Sequence, residues 1–335
     1  MTPGPRNLLT DIAGIKVGHA GDARIASGTT AIVFDQPTIV SVDIGGGGPG
    51  TRETDLLDPA RTVDRIDAIA LSGGSAFGLD APGGVQAYLR SVGRGYAVGT
   101  ALVPLVPGAI LFDLLNGGDK DWGRYPPYRE LGFAAAQAAG TDFALGSVGA
   151  GLGATTVNLK GGIGSASAVI DGGFTVAALA AVNAAGSAVV GDGPWFWAAP
   201  YEQNGEFGGH GFPATVPAAA LLPRTKGAMR MNTTLVVVAT DAALTKPQAR
   251  HLAVMAQDGL ARAIHPVHTP FEGDIVFAAS TGQRPLGNPR FELTAVGSAA
   301  AQVAARAIAR GIFEAEALAL PGAVPSYRKK FREPR

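Results

Sequence analysis

The chain has 335 residues, of which 47% are hydrophobic and 16% are charged, and this balance predicts a folded protein with a large core rather than a disordered one. Its formal net charge is +0, so no general electrostatic attraction to nucleic acids or anionic membranes is expected. Cysteine is absent, which excludes disulfides, thiolate metal sites and a cysteine nucleophile.

The first residues, MTPGPRNLLTDIAG, lack the basic segment and the apolar run of a secretory signal peptide. Glycine, proline or a charged residue interrupts every apolar run before it reaches membrane-spanning length. We therefore expect a cytoplasmic α/β protein that binds neither nucleic acid nor membrane.

The N-terminal half alternates short β-like runs with helical patterns. Strands are predicted at Thr30–Phe34, Thr38–Val42, Ala68–Leu71 and Gly95–Val98, and helices at Ser75–Val92 and Glu130–Ala139. The sequence Pro82-Gly83-Gly84 is expected to break or kink the first of these helices. Further along, Phe174–Val182 and Ser187–Val190 are predicted to be paired strands joined by the turn Asn183–Gly186.

The segment Pro194–Pro223 is rich in Gly, Pro and Ala and is predicted to be a long exposed loop or a link between two halves. Regular structure resumes after it. The predicted elements are strand Thr234–Thr240, helix Lys246–Ile264, strand Ile275–Ser280 and helix Leu293–Phe313. Thr245 is a suitable N-cap for the first of these helices, and the basic tail Ser326–Arg335 is expected to be mobile.

A glycine-rich run, GSVGAGLGATTV, approximates the dinucleotide-binding pattern G-x-G-x-x-G. Gly149 and Gly151 match it, Ala154 takes the last position, and Asp171 follows at about the distance of a ribose-binding acid. The sequence that comes next does not predict the helix that this motif requires. We therefore interpret these glycines as positions of close backbone packing.

Ser75 lies between a predicted strand and a predicted helix, as the serine of a nucleophile elbow does. Phe77 stands where the second glycine of that motif should be. The simpler interpretation is that Ser75 is the N-cap of the helix.

Two histidines, His265 and His268, and two carboxylates, Glu272 and Asp274, are close enough in sequence to be considered as metal ligands. Pro266 breaks the helical facing of the histidines, so no metal site is expected. The two acids flank one glycine directly before a strand. Such a pair is usually solvated, but it can also orient a nearby hydroxyl or ammonium, or raise the pKa of one member.

Thr233 and Thr234 precede the valine-rich run of a predicted strand. On composition alone, both are ordinary strand-forming residues. A threonine hydroxyl becomes an effective nucleophile when a base lies beside it, and cleavage of the Asn232–Thr233 bond would create one, the new α-amino group of Thr233. That amine has a reference pKa of about 7.7–8.0, so it is partly neutral near neutral pH.

Seven segments, in order along nearly the whole chain, carry a family resemblance. They are PGTRETDLLDP (49–59), ALSGGSAFGLDA (70–81), VPLVPGAILFDL (103–114), GAGLGATTVNLKGGIGSAS (149–167), VNAAG (182–186), MNTTLVVVATDAALTK (231–246) and AQDGLARAIHPVHTPFEGD (256–274). These segments resemble the DmpA-type self-processing aminopeptidases, a family that also includes the endo-type nylon-oligomer (6-aminohexanoate oligomer) hydrolases.

The resemblance implies that residues 1–335 form a four-layer αββα sandwich, like that of N-terminal-nucleophile hydrolases but with different connectivity. It implies autocleavage into a larger chain, 1–232, and a smaller chain, 233–335, which stay associated and assemble further, often as tetramers. The nucleophile would be Thr233, as in the nylon-oligomer hydrolases. Asn183 falls on the family's oxyanion-stabilising asparagine, and Glu272 and Asp274 fall on its paired positions that contact the nucleophile.

Three positions depart from the family pattern. Asn158 stands where a lysine near the nucleophile is usual, Phe112 where some members have a tyrosine in the site, and Gly45 where an arginine is usual. Asn158 keeps a neutral hydrogen-bond donor but removes a positive charge. These changes bear on processing and on substrate choice more than on the fold.

The main hypothesis from the sequence is a self-processed threonine-nucleophile amide hydrolase that uses no metal or organic cofactor. Its substrate would be a small peptide with a free amino end, a β-amino-acid amide or a linear amide oligomer. Two alternatives stay open. One is a catalytically silent, uncleaved binding or assembly protein on the same scaffold, motivated by positions 45, 112 and 158, and the other is a serine hydrolase that uses Ser75.

Overall fold

The computed structural model describes residues 1–226 and 232–331. Within these residues the strands are β1 (Ile15–Asp22), β2 (Ser27–Ile44), β3 (Thr51–Arg52), β4 (Arg65–Ser72), β5 (Tyr96–Val98), β6 (Ala101–Val103), β7 (Gly108–Ile110), β8 (Ile163–Val169), β9 (Thr175–Asn183), β10 (Thr233–Ala242) and β11 (Ile275–Arg284). The helices are α1 (Ala81–Ser91), α2 (Tyr128–Gln137), α3 (Lys246–Ala263), α4 (Pro289–Phe313) and α5 (Tyr327–Phe331). No helix in this part of the chain is long and apolar enough to cross a membrane.

A sheet of nine strands organises the molecule, in the order β3-β7-β4-β2-β11-β10-β9-β8 with β1 paired to β2. The long strand β2 belongs to both halves, because its first part pairs with β1 and β4 and its last part, Ile39–Ile44, pairs with β11. Its register with β4 shifts between Val33 and Thr38, where Pro37 has no N–H to donate. The two strands predicted in this region are therefore one strand with an irregular middle.

Three hydrophobic cores separate four layers. Helices α3 and α4 cover one face of β9, β10 and β11, where Val236 and Val238 point toward them. The opposite face, with Leu235 and Val237, packs against β1, β2 and β4 in the central core. Helices α1 and α2 cover the outer face of β2 and β4 in a third core. The order of helices, sheet, sheet and helices confirms the predicted αββα arrangement, with one sheet folded on itself through β2.

The strand β10 is buried along its whole length, because it lies between β9 and β11 and both of its faces are covered. The sequence of such a strand is a continuous apolar run rather than an alternation of apolar and polar residues. It runs parallel to β11, so a crossover connection is required, and α3 makes it. Thr245 caps α3 as predicted, since its side chain accepts the N–H of Gln248. Thr233 is the first residue of β10 and so lies at one end of a central strand.

The prediction that strands at Phe174–Val182 and Ser187–Val190 pair through a turn at Asn183–Gly186 is wrong. β9 ends at Asn183 and forms its hairpin with the preceding strand β8, through a turn in which Gly172 and Gly173 have positive φ. The segment Ser187–Val190 makes only isolated bridges. Its apolar residues are nevertheless buried. Because a buried loop can have the same short apolar run as a strand, the sequence pattern did not distinguish the two.

The interpretation of Ser75 as an N-cap is also wrong. Ser75 has a left-handed backbone, with φ of 53°, and the cap position of the 3₁₀ turn that it begins is Gly74. An α-helix follows only from Ala81. Pro82 therefore lies in the first turn of α1, where the N–H that it lacks has no helical partner, and it does not kink the helix.

The long segment Pro194–Pro223 is not simply exposed. Phe196 and Phe207 are buried within it and contact each other edge to face. Glu206, beside Phe207, points into the protein and pairs with Arg306 of α4. The Gly- and Pro-rich composition predicted the irregular backbone correctly but not the anchors that bury parts of it.

The C-terminal tail is also packed. Tyr327 of α5 stacks on Phe196 with ring centroids 4.7 Å apart, and its hydroxyl donates to the Pro194 carbonyl at 2.6 Å. The prediction of a mobile tail is therefore wrong for residues 326–331, and residues 332–335 lie outside the described part of the chain.

A buried ion pair joins the segment Pro194–Pro223 to α4. Arg306 is fully buried, with Nε 2.5 Å from Glu206 Oε1 and Nη2 3.0 Å from Oε2. Its remaining contacts are with the Ser167 carbonyl and the Asn7 side chain, each at 2.9 Å. All of these partners come from elements far apart in sequence, so the guanidinium joins the N-terminus, the sheet, the loop and α4.

We predict that Glu206→Ala lowers the free energy of unfolding by about 3–5 kcal/mol, because it leaves Arg306 buried without its counter-charge. Asp142→Ala is the matched control. It removes an ion pair with Arg6 in which the side chains are 84% and 45% exposed, respectively, and its effect should stay below about 1 kcal/mol. Urea unfolding of both variants measures the difference, and equal losses would contradict the assignment.

Candidate active site

Thr233 and Asn183 are directly opposed across the β9–β10 pair. Opposed residues of antiparallel strands project on the same face, so the two side chains lie on one side of the sheet. Thr233 is 3% exposed and Asn183 is 1% exposed. The Thr233 hydroxyl donates to the Asn232 carbonyl oxygen at 2.5 Å, so it lies against the peptide bond that the sequence predicts to be cut.

The Asn232 carbonyl is held from two sides. Besides the Thr233 hydroxyl, it accepts the N–H of Gly273 at 2.9 Å. The N–H of Asn232 donates to the Phe271 carbonyl at 3.0 Å, which pairs this residue with the segment that precedes β11. The peptide group before Thr233 is therefore held in one orientation. The preceding residues, Gly227–Met231, lie outside the described part of the chain.

Three contacts set the orientation of the Asn183 amide. Its Oδ1 accepts the N–H of Thr155 at 3.0 Å and Lys226 Nζ at 3.3 Å. Its Nδ2 donates to the Phe112 carbonyl at 2.9 Å. Two donors face the oxygen and an acceptor faces the nitrogen, so only one of the two amide orientations satisfies all three contacts. Nδ2 carries a second hydrogen in addition to the one given to Phe112.

Asp274 holds the backbone that follows Thr233. The carboxylate is fully buried, and its Oδ1 accepts the N–H of Thr234 at 2.7 Å. Its Oδ2 accepts the N–H of His268 at 3.2 Å and makes a 3.0 Å hydrogen bond with Nδ1 of the same residue. The carboxylate thus acts on the strand beside the hydroxyl of Thr233 rather than on the hydroxyl itself.

Glu272 holds the backbone that follows Asn183. Its Oε1 accepts the N–H of Ala185 at 2.9 Å, and its Oε2 accepts the N–H of Thr269 at 3.1 Å. Burial, reinforced by the charge of Asp274, raises the pKa of Glu272 to about 7. The two acids are thus brought together with Thr233 and Asn183, and each bonds to backbone N–H groups.

A glycine run at the end of β2 reaches this acidic segment from a third side. A Cβ at Gly46 would lie 2.3 Å from the Glu272 carbonyl oxygen, and Gly48 donates its N–H to that same carbonyl at 2.7 Å. Gly45 and Gly46 both donate to the Asp274 carbonyl, at 2.9 and 3.2 Å. The approach at Gly46 is so close that it requires a residue without a side chain.

A cavity of about 660 Å³ opens beside the junction. Asn183 and Asn232 line it together with Phe112 and Lys226, and the Lys226 ammonium also donates to the Thr155 carbonyl at 2.7 Å. The C-terminal segment supplies an apolar wall, formed by Leu318, Pro321, Ala323 and Val324. A cavity of this size with polar groups on one side and apolar groups on the other fits a small organic molecule.

Comparison with known proteins decides the family. The model of peptidase family S58 matches residues 7–323. An uncharacterized aminopeptidase of Mycobacterium bovis is 44% identical over 346 residues, which cover 97% of this chain and 98% of that relative. The chain belongs to peptidase family S58. As a peptidase it hydrolyses amide C–N bonds.

More distant relatives of this S58 peptidase extend the comparison. The 6-aminohexanoate-oligomer endohydrolase of Kocuria sp. is 27% identical over 315 residues, which cover 90% of this chain and 84% of that protein. Among solved structures, the Burkholderia sp. β-aminopeptidase matches 99% of this chain and 93% of its own, with a TM-score of 0.71 and 23% identity. The L-aminopeptidase D-Ala-esterase/amidase of Ochrobactrum anthropi gives a TM-score of 0.70 at 22% identity, covers 99% and 95% of the two chains, and is described as a variant of the Ntn hydrolase fold. These likenesses confirm the fold class.

Two lysines of this S58 peptidase lie at the cavity although the sequence did not single them out. Lys226 contacts Asn183, and Lys160 is fully buried with Nζ donating to two backbone carbonyls, at 2.9 and 2.6 Å. Burial lowers the pKa of Lys160 to about 7, against the opposing effect of the Asp113 carboxylate. Asn158 is not a lining residue of the cavity. Lysine side chains therefore reach the cavity from positions other than 158.

The structure does not assemble the other sequence patterns into sites. Within residues 1–226 and 232–331, no group of three or more His, Asp or Glu side chains is arranged to hold a metal ion. His265 turns away to the Leu221 carbonyl, with Nε2 3.0 Å from its oxygen. Gly149–Gly151 forms a short 3₁₀ turn packed so closely on Thr30 that a Cβ at Gly149 would lie 2.3 Å from its hydroxyl. Ser75 is not among the residues that line the cavity, and neither is Thr233, which adjoins it through Asn232 and Asn183.

We predict a specific pH dependence for Glu272→Gln. The pKa of Glu272 rises from its ordinary value of 4.5 to about 7 in the folded protein, so the folded state holds a proton that the unfolded state releases between these values. The contribution of this group to stability is full below the lower value and is lost as the pH rises through the upper one. Relative to the variant, the wild type should lose up to about 1.4 kcal/mol of unfolding free energy per pH unit in that window.

Urea unfolding at a series of pH values measures this difference. Both proteins would carry Thr233→Ala so that each is compared as an intact chain. Free energies of unfolding that change in parallel with pH would show that Glu272 does not titrate in this window.

Proposed function

We propose that this S58 peptidase cuts itself between Asn232 and Thr233 and then uses Thr233 as the N-terminal nucleophile of an amide hydrolase. The observation that carries the proposal is the 2.5 Å contact between the Thr233 hydroxyl and the Asn232 carbonyl oxygen, which the Gly273 N–H also holds. The products would be a larger chain, 1–232, and a smaller chain, 233–335.

In the processing step, the Thr233 oxygen attacks the Asn232 carbonyl carbon and the C–N bond to Thr233 breaks. The hydroxyl proton ends on the departing nitrogen, which becomes the α-amine of Thr233. Water then hydrolyses the ester and leaves a carboxylate at Asn232. Negative charge develops on the carbonyl oxygen during the attack, and the Gly273 N–H already donates to that oxygen at 2.9 Å.

In substrate turnover, the new α-amine of Thr233 serves as the base. It takes the proton from the threonine hydroxyl as the oxygen attacks the substrate carbonyl, and gives a proton to the leaving amine. An acyl-enzyme forms and water hydrolyses it. With a reference pKa of about 7.7–8.0, the amine is available in its neutral form close to neutral pH.

Asn183 is the side chain that we assign to the oxyanion of the substrate. Its Nδ2 has a second hydrogen, on the face of the sheet that it shares with Thr233. Lys226 beside its Oδ1 draws electron density toward the oxygen, which strengthens Nδ2 as a donor. Asp274 and Glu272 act through the backbone and keep the Thr233 and Asn183 strand ends in place.

The substrate class that we propose is a small peptide with a free amino end, a β-amino-acid amide or a linear amide oligomer. Two relatives bear the names aminopeptidase and 6-aminohexanoate-oligomer endohydrolase. The cavity supports the same class by its size and by its two kinds of wall, with polar residues such as Asn183 and Asn232 on one side and the apolar segment 318–324 on the other.

The cleaved chains would stay together, because the sheet runs across the cut. β9 belongs to the larger product and β10 to the smaller one, and they are paired from Thr233–Asn183 to Thr240–Val176. We further propose that the cleaved pairs assemble as tetramers, as the family resemblance implies, and that the protein is cytoplasmic.

The mass of the purified protein tests self-processing. After incubation we expect two fragments, with ends at Asn232 and Thr233, whose masses sum to the intact 33.8 kDa chain plus one water. Thr233→Ala should stay intact and inactive because it lacks the nucleophile. Thr233→Ser, which keeps a hydroxyl, should still be cut and should still hydrolyse aminoacyl amides. An intact wild-type chain that retains activity would contradict the mechanism.

If the protein is instead catalytically silent, we expect an intact chain that does not hydrolyse amides. Two of the three departures that motivate this alternative, at positions 112 and 158, remove less than the sequence implies. Phe112 contacts Asn183 through its carbonyl, which any residue supplies, and ammonium groups reach the cavity from Lys160 and Lys226 in place of position 158. Labelling of Ser75 rather than Thr233 by an electrophilic probe would favour the serine-hydrolase alternative.

We predict that Gly273→Ala slows self-cleavage by about 10- to 100-fold, since a small displacement of the reacting groups has effects of that order. A Cβ at this position would lie 2.7 Å from the Gly48 carbonyl oxygen and 2.9 Å from the Thr233 hydroxyl. Gly287→Ala is the control, because its nearest neighbour is the flexible end of Glu292 at 3.7 Å. The fraction of cut chain over time measures both, and equal rates would contradict the placement of Gly273.

A further inference from the structure

His268 contacts Asp274, one of the two buried acids, from outside the cavity. Its Nδ1 is 3.0 Å from Asp274 Oδ2, and its backbone N–H donates to the same oxygen at 3.2 Å. The backbone of His268 is left-handed, with φ of 52°, a conformation that is uncommon for a residue with a side chain. The side chain is 25% exposed, and it is not among the residues that line the cavity.

Gly45 leaves the space that this imidazole occupies. A Cβ at position 45 would lie 3.0 Å from His268 Nδ1 and 3.1 Å from Gln257 Nε2. A side chain at position 45 would therefore require the imidazole and the end of Gln257 to shift by a few tenths of an ångström. This glycine is one of the three departures from the family pattern.

The charges around His268 are mostly negative. Asp274, Glu272 and Asp43 face it, and Asp43 is itself paired with Arg250 at 2.5 Å. Burial lowers the pKa of His268, but the hydrogen bond to Asp274 and the charges of these three acids outweigh it, so the pKa lies above its ordinary value of 6.5. The imidazolium thus supplies a counter-charge to a carboxylate that is fully buried.

We propose that His268 is a positioning residue for Thr233. The imidazole holds the Asp274 carboxylate, and that carboxylate holds the N–H of Thr234, one residue beyond the nucleophile. Gly45 is the residue that makes room for this contact. The kinetic consequence rests on the proposed self-processing mechanism, whereas the contact itself does not.

Three variants separate this role from general damage to the fold. His268→Ala removes the imidazole and should slow self-cleavage and lower kcat by at least about tenfold, the order of a lost hydrogen bond to a charged group. KM should change by no more than about twofold, because His268 lies outside the substrate cavity. His268→Asn tolerates the left-handed backbone and offers an N–H at the place of Nδ1, so it should restore most of the rate.

Gly45→Ala displaces the imidazole without removing it and should slow cleavage in the same direction as His268→Ala but by a smaller factor. Combined with His268→Ala it should cause no further loss, because its Cβ then meets only the movable end of Gln257.

The pH profile supplies a readout that a purely structural role would not change. The charged imidazole strengthens the contact with Asp274, so the rate ratio of wild type to His268→Asn should be largest at about pH 6. The ratio should fall towards one as the pH rises through the raised pKa of the imidazole, because both side chains are then neutral. A constant ratio would overturn the role of the imidazole charge.

Hydrogen exchange tests the contact independently of the proposed function. In a Thr233→Ala background, His268→Ala should speed exchange in the peptide that contains the Thr234 N–H. If the wild type is never cut, the proposed function fails while the exchange measurement still decides the contact. The inference is overturned if His268→Ala matches the protein with His268 in its rate of self-cleavage, in its rate of substrate hydrolysis and in the hydrogen exchange of the Thr234 N–H.

Discussion

The hydrogen-bond ladder that joins β10 to β9 on one side and to β11 on the other is the constraint on which the site depends. It sets Thr233 opposite Asn183 and Leu235 opposite Ile275, so the residues before β11 arrive beside the residues around Thr233. Side chains alternate between faces along a strand, so a shift of one residue would move Thr233 to the other face. Both faces of β10 are covered by apolar cores, so hydrophobicity alone does not fix this register. Specific hydrogen bonds do, because the Thr234 N–H donates to Asp274 Oδ1 and the Thr240 hydroxyl donates to the Thr175 carbonyl.

The acidic pair illustrates how a protein with few charges uses them. Glu272 and Asp274 are both fully buried, and their oxygens are satisfied mainly by backbone N–H groups. Backbone donors are fixed in direction, so a buried carboxylate bonded to them becomes a rigid link between two chain segments. Gly46 allows the segment after β2 to reach the same place, because a Cβ there would lie 2.3 Å from the Glu272 carbonyl oxygen. The abundance of glycine in this chain thus has a concrete purpose at the site.

The charged groups of the site come from different elements than the family pattern indicates. Position 158 lacks a lysine, but Lys226 reaches Asn183 from the segment that leads into the junction. Position 45 lacks an arginine, but it gives room to His268, which lies against Asp274. Both replacements join residues distant in sequence, so a site can keep an ammonium or a counter-charge while its motif changes. A departure from a motif is therefore weak support for a loss of function.

The sequence by itself determined the elements with strong local signals, namely α3 with its cap at Thr245, the buried valine strand β10 and the strand β11. With the family resemblance it also selected Thr233, Asn183, Glu272 and Asp274, which the fold brings together. It failed where a buried loop imitates a strand, at 187–190, and where packing anchors an irregular segment, as at Glu206 and Tyr327. The pairing of Asn183 with Thr233, and the approach of Lys226 and His268, were decided by tertiary structure alone. These contacts join strands and loops through three-dimensional packing, and no local periodicity records which distant segments will meet.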